Sequence, residues 1–219
     1  MIVSDRSVRN IRGKYKTFDE SSPKWYDSHM SFDPDRLQYA VPRSDWRQRF
    51  RELVLYICKK CENQEYFGAT KLNKILYYSD FAAYQRLELP ITGAAYRKLK
   101  FGPAPEAMVP IRDEMIENGL VRIDERNYPS NRNEKRLIAL REPDVSLFIR
   151  AEIEIVDEII EKFKHKNGTE VSDLSHDIRW KTVEMNTLMP YDMVWLSDEP
   201  VTQEDIKRTR ELAKQYGWA

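Results

Sequence analysis

Catalysis needs particular side chains at particular spacings, and few stretches of these 219 residues supply them. The richest is the run from Val171 to Trp180, V-S-D-L-S-H-D-I-R-W. On a helix, Asp173 and His176 lie three apart and share a face, as do His176 and Trp180 four apart. A carboxylate beside an imidazole can orient a general base. The same pair can equally cap a helix or anchor a buried polar contact, and no nucleophile accompanies it. Cys58-x-x-Cys61 is half of a zinc site without a second cysteine pair, and His29, His165 and His176 show no ligand spacing. As a redox pair it lacks a βαβ context. Both sulfurs fall on the apolar stripe of the helix expected around them, which reads as core thiols.

Loops that cradle phosphates have little material here, with seven glycines in the whole chain. There is no G-x-S-x-G elbow, Walker A loop, G-x-G-x-x-G or H-E-x-x-H. Neighbouring carboxylates such as Asp124 with Glu125, or Glu152 with Glu154, read as solvated faces. The expectation is a chain with no catalytic residue set, no metal and no cofactor.

The elements that would carry these residues are mostly helical. After an irregular arm over residues 1–43, with Pro23, Pro34 and Pro42, a helix follows, with Ser44 or Asp45 as cap. It carries Phe50, Leu53, Val54, Ile57, Cys58 and Cys61 on one face. Thr70 to Leu87 is a second helix, unusual in mixing Tyr77, Tyr78 and Tyr84 with Lys71, Lys74, Asp80 and Arg86. Pro90, Gly93, Gly102, Pro103 and Pro105 punctuate a loop or short strand. Ala104 to Gly119 reads as a helix that Pro110 kinks or truly starts, with Gly119 as its stop. Val121–Ile123 and Arg136–Leu140 read as a hairpin. A long helix then carries Phe148, Ile155, Ile159 and Phe163, and Thr169 is placed to cap another through Val171, Leu174, Ile178 and Val183. A last helix begins at Thr202. The fold class is mainly α (α+β), a compact helical domain of about six helices with a small β-hairpin. It divides into an arm (1–43), a helical domain (44–200) and a C-terminal helix (201–219).

Lysine plus arginine number 36 and aspartate plus glutamate 36, so no global field draws in nucleic acid. Hydrophobic residues are 41% and charged residues 33% of the chain, and no run approaches the roughly 18 apolar residues of a spanning helix. The first residues lack an apolar signal region, which makes the cytoplasm the expected location. The arm is rich in aromatics, Trp25 and Tyr26 among them, which suits packing onto the body of the chain or onto a partner.

Three segments resemble the Panacea domain, the family of SocA-like antitoxins and phage-associated GepA-like proteins. Thr70-Lys-Leu-Asn-Lys-Ile-Leu-Tyr-Tyr-Ser-Asp80 is similar to the family's K-L-x-K-L-L-Y-F-x-D helix. Pro90-Ile-Thr-Gly93, followed by Tyr96 and Phe101-Gly102-Pro103, resembles P-[LI]-T-G … Y-x-A-x-x-x-G-P, with Lys98 where the family has a small residue. Leu174-Ser175-His176 with Trp180 resembles a late L-S-H … W element. They occur in family order over about residues 46–185. The resemblance implies a helical antitoxin that inhibits a cognate toxin by direct contact and catalyses nothing. At least one SocA-type member delivers its toxin to a protease.

On that footing the partner-binding candidates are Lys71, Lys74, Tyr77, Tyr78, Asp80, Tyr84, Tyr96 and Lys100, with Trp25 and Tyr26 in the arm. Gly93, Gly102, Pro103, His176 and Trp180 are structural. Taken singly, Lys71, Tyr77 and Asp80 read as an internal network tying helix to loop; taken together, the Tyr/Lys/Asp face reads as an interface. The rival function is a DNA-binding regulator. In that reading helix 70–87, helix 104–118 and hairpin 121–140 form a winged-helix-like element, with Arg122, Arg126, Arg132, Lys135 and Arg136 on the wing. Against it stand Pro110 in the would-be recognition helix and the acids Asp113, Glu114 and Glu117 beside Arg112. Operator DNA is therefore the less favoured partner, and no membrane is expected.

Overall fold

Apolar residues recurring on one face form the first helix, α1 (Trp46–Lys60), which buries Phe50, Leu53, Val54, Ile57 and Cys58. In this computed structural model, residues 37–41, 43–128 and 132–217 are described. Asp45 takes the N-cap position of α1, but its carboxylate pairs with Arg43 at 3.3 Å and caps no amide. The next helix, α2 (Ala69–Leu87), explains why its sequence looks wrong for a surface. Leu72, Ile75, Leu76, Tyr77, Phe81 and Ala83 are buried, and so are Lys71, Lys74, Ser79 and Asp80. A helix covered on nearly every side lies in the core. It packs against α1 and against several elements that follow, α4 and α5 foremost.

The punctuated stretch after α2 becomes two very short strands, β1 (Tyr96–Arg97) and β2 (Ala104–Pro105). Each pairs antiparallel in a sheet of order β2-β1-β5, whose third member, β5 (Leu188–Met189), arrives from late in the chain. Two residues carry no periodicity, so β5 has no sequence signature. Helix α3 (Met108–Glu117) starts four residues later than Ala104, because Ala104 and Pro105 are held in the sheet. Pro110 then sits in the first turn, where its missing N–H costs no helical bond. Gly119 follows just past the C-cap Asn118.

The hairpin is longer than its apolar core predicted. β3 (Val121–Tyr128) and β4 (Arg132–Ala139) pair from Val121↔Ala139 outward to Tyr128↔Arg132. Its base, Val121, Leu137 and Ala139, joins the main core. α4 (Arg150–Phe163) buries Ile155, Val156, Ile159, Ile160 and Phe163 against α2. Phe148 precedes it, after a short 3-10 turn at Val145–Leu147.

The helix expected from Thr169 through Val183 is two helices, α5 (Gly168–Leu174) and α6 (Ile178–Thr182). Asn167, not Thr169, caps the first, and its side chain accepts from the Thr169 and Glu170 amides while Glu170 reaches back to the Asn167 amide. The break has a local cause. The Asp177 carboxylate accepts from the Arg179 and Trp180 amides and starts a new helix. After a 3-10 turn at Tyr191–Trp195, α7 (Gln203–Tyr216) begins at a Thr202–Asp205 capping box and buries no residue.

The described residues thus hold seven α-helices and two small antiparallel sheets, a mainly α fold with a minor β element. Residues 37–41, at the end of the expected arm, lie on this body. The Gln38 backbone bonds Tyr191 and Asp192, and the Val41 amide donates to Gly93. Trp25 and Tyr26 lie outside the described residues.

Candidate functional site

Asp80 is fully buried on α2, and four groups gather on its carboxylate. The Thr92 amide donates at 2.7 Å, the Thr92 hydroxyl donates to the other oxygen, and the Tyr96 hydroxyl donates at 2.7 Å. Tyr191, whose hydroxyl donates to the Ala94 carbonyl at 2.6 Å, stands 3.4 Å away. Burial pushes the Asp80 carboxyl upward from the ordinary range, while these donors and the Arg49 guanidinium oppose the shift. Arg49 itself ties the Ile91 carbonyl to Glu152 of α4, at 2.7 and 2.6 Å. The Pro90–Gly93 loop is therefore fixed to three helices. Gly93 sits at φ +74°, and a side chain there would run into the Val41 carbonyl. Phe81, Tyr77, Tyr96 and Tyr191 pack ring to ring around the same acid.

Lys71, Lys74 and Tyr78 fall on one stripe of α2, at i, i+3 and i+7. Their polar tips all end on backbone carbonyls. Lys71 Nζ donates to Lys164 at the end of α4 (2.9 Å), Lys74 Nζ to Pro103 (2.6 Å), and Tyr78 to Leu174 at the end of α5 (3.0 Å). Lys98, where the family resemblance calls for a small residue, does the same. Its Nζ reaches the Val183 carbonyl at 2.6 Å and lies 4.0 Å from the Trp180 ring centroid. None of the three buried ammonium groups forms an ion pair among the described residues. Burial alone lowers Lys74 to about 7, and burial is also the largest cause lowering Lys71.

Over Lys74 in this row lies the Phe101-Gly102-Pro103 turn. Gly102 has φ +84°, and a Cβ would overlap the Ser175 hydroxyl and meet Lys74 Cε at 2.8 Å. No other residue fits between α2, α5 and the turn. Trp180 braces the turn from the other side, its indole N–H donating to the Leu99 carbonyl at 3.1 Å.

These facts sort the expected contact residues. Lys71, Lys74, Tyr77, Asp80 and Tyr96 are buried in the chain by itself, where they frame the surface around them and are not part of it. Tyr78 and Tyr84 are half-buried, the latter donating to Asp192 at 3.0 Å, and Lys100 is exposed beside Phe101. Phe101, a motif residue outside the expected contact set, is 65% exposed. Its signal was an aromatic residue ahead of a glycine-proline turn.

The chemistry considered for His176 does not assemble. His176 lies in the turn between α5 and α6, so it no longer shares a helix face with Asp173. Its ring stacks on Trp180 at 4.0 Å, and Nε2 is buried without a hydrogen-bond partner. Cys58 and Cys61 are buried free thiols, with burial pushing Cys61 up to about 12. No cluster of metal-ligating side chains occurs among the described residues. On the hairpin, Arg122 and Arg126 pair with Asp124, Lys135 with Glu125, and the buried Arg136 with Glu134 and the carbonyls of Glu62 and Gln64. The basic wing is thus largely neutralised by its own acids. In α3, Glu114 is engaged by Arg47 and Arg51 of α1.

Residues 72–181 match the family model described as antitoxin SocA-like, Panacea domain, which spans half of the chain. No curated protein and no solved structure matches it. The matched span runs from α2 to α6 and contains Asp80, Lys74, the Gly102 turn and Trp180. No helix among the described residues is long and apolar enough to cross a membrane.

Proposed function

This chain belongs to the SocA-like antitoxin family that carries the Panacea domain, and from that premise we propose that it neutralises a cognate toxin by direct protein–protein contact, acting as a binding protein and not as an enzyme. One observation carries this reading. The most deeply buried charged groups of the matched span are spent on framing the fold, Asp80 on Thr92 and Tyr96 and Lys74 on the Pro103 carbonyl. They hold a rigid turn outward. Covalent catalysis needs a nucleophile within reach of a base, and His176, the residue with the best sequence context for a base, is stacked on an indole.

Tyr78, Tyr84 and Lys100 supply the accessible part of the proposed binding surface. Trp25 and Tyr26 are proposed to add specificity from the arm.

The test is co-expression with the product of the gene adjacent to its own. Growth rescue and co-purification through a tag support the reading; a non-toxic neighbour that does not bind overturns it. Toxin abundance in rescued cells then separates sequestration, which preserves the toxin, from delivery to a protease, which lowers it. A chain starting at Arg43 that neutralises with undiminished affinity would remove the role of the arm.

A further inference from the structure

The turn at residues 99–101 is both apolar and exposed. Leu99 is 38% exposed, Phe101 65%, and the adjoining Leu174 and Met185 each 47%. These residues are contiguous. Trp180 holds the Leu99 carbonyl, Gly102 abuts Ser175 next to Leu174, and the Asn186 amide next to Met185 bonds Lys98. A soluble chain seldom holds several large apolar side chains outward on a braced turn without a partner for them.

The charge around the turn has one sign in excess. Lys98 lies beneath it with no ion pair, and Lys100 stands on it and Lys181 beside Trp180, also without ion pairs among the described residues; Lys74, buried under Gly102, is only partly charged near neutral pH. The end of α6, which Lys98 caps, offsets part of that charge. Asp173 and Glu184 border the patch as its exposed acids. In a chain whose charges cancel overall, this is a local positive surface centred on an aromatic.

We propose that the Leu99–Phe101 turn, with Leu174 and Met185 beside it, is the surface that docks the toxin, and that the toxin meets it with an apolar pocket rimmed by acidic side chains. The proposal rests on the antitoxin reading above. Phe101 enters the pocket and contributes most of the affinity, as central aromatics do in interfaces. The lysines steer the encounter and set its salt dependence. An apolar tip with acids interspersed fits a protein partner better than a phosphate backbone, which would be repelled at Asp173 and Glu184.

The experiment measures affinity of the full chain for the purified product of the adjacent gene, at low and at raised salt. It compares wild type, Phe101→Ala and Lys100→Glu, each with a thermal melt. Phe101→Ala is expected to weaken binding on the order of 30-fold with an unchanged melt, since the ring is mostly in solvent. Lys100→Glu is expected to slow association by about tenfold at low salt and to flatten the salt dependence. A tight complex that neither substitution alters, and that salt does not weaken, overturns the docking surface and leaves the antitoxin reading intact. Absence of any complex with wild type removes that reading and this proposal with it. Displacement of the toxin by random duplex DNA would assign the face to nucleic acid and overturn the proposal.

Discussion

Asp80 shows how much of the fold hangs on one carboxylate. Its oxygens are the acceptors for the Thr92 amide and hydroxyl and for Tyr96, all out of solvent. Asp80→Ala strands these donors and is expected to lower stability by about 3 kcal/mol. Asp80→Asn keeps one acceptor oxygen and lets the hydroxyls rotate, so about 1 kcal/mol is expected. Urea unfolding of the pair at neutral pH checks the order, and equal losses would refute it. Lys74 gives a pH signature. Below about pH 7 the folded protein must hold a buried ammonium; above it the folded form is neutral while the unfolded chain, near the ordinary lysine value of 10.5, still binds the proton. Stability relative to Lys74→Met should therefore rise with pH from 7 upward, with a slope approaching about 1.4 kcal/mol per pH unit. Denaturant melts between pH 7 and 9 measure it, and a flat difference would show that the ammonium stays protonated on Pro103.

At the scale of elements, the Phe101-Gly102-Pro103 turn is the joint between α2 and α5. Gly102→Ala pushes a methyl into Ser175 and Lys74 from a left-handed backbone. A loss of more than about 2 kcal/mol is expected, roughly 5–10 °C in Tm. Gly119→Ala, at φ +66° but facing open space, should cost no more than about 1 kcal/mol. Thermal melts of the two variants compare crowding with backbone strain. Long elements were legible because their apolar residues repeat: α1, α2 and the base of the hairpin read directly from Phe50, Ile75 and Leu137. The α5–α6 break was not, because Asp177 acts as an N-cap only through its bonds to the Arg179 and Trp180 amides, and helical spacing continues across it. β5 was invisible for a different reason. Its two residues are strand only because β1 stands beside them.

For the whole molecule, burial decides which parts are dispensable. α7 contributes no buried residue to the core, so a chain ending before Val201 should unfold within about 1 kcal/mol of full length, as chemical denaturation will report. The candidate site was half legible. The motif positions came from the sequence, but their direction did not, because a tyrosine or lysine on a helix looks the same whether neighbours cover it or water does. Tyr77 and Lys71 turned inward only because α4, α5 and the 99–103 turn close over α2. That closure has a consequence for kinship. The side chains that carry the family motifs are mostly buried, whereas Lys100 and Phe101 stand exposed on the scaffold like a replaceable bit on a fixed handle. On the proposed docking surface, two proteins with the same Asp80, Gly102 and Trp180 can therefore present different tips to different partners. If that surface is the docking site, exchanging the tip while leaving the frame is the route by which this protein would take a new partner.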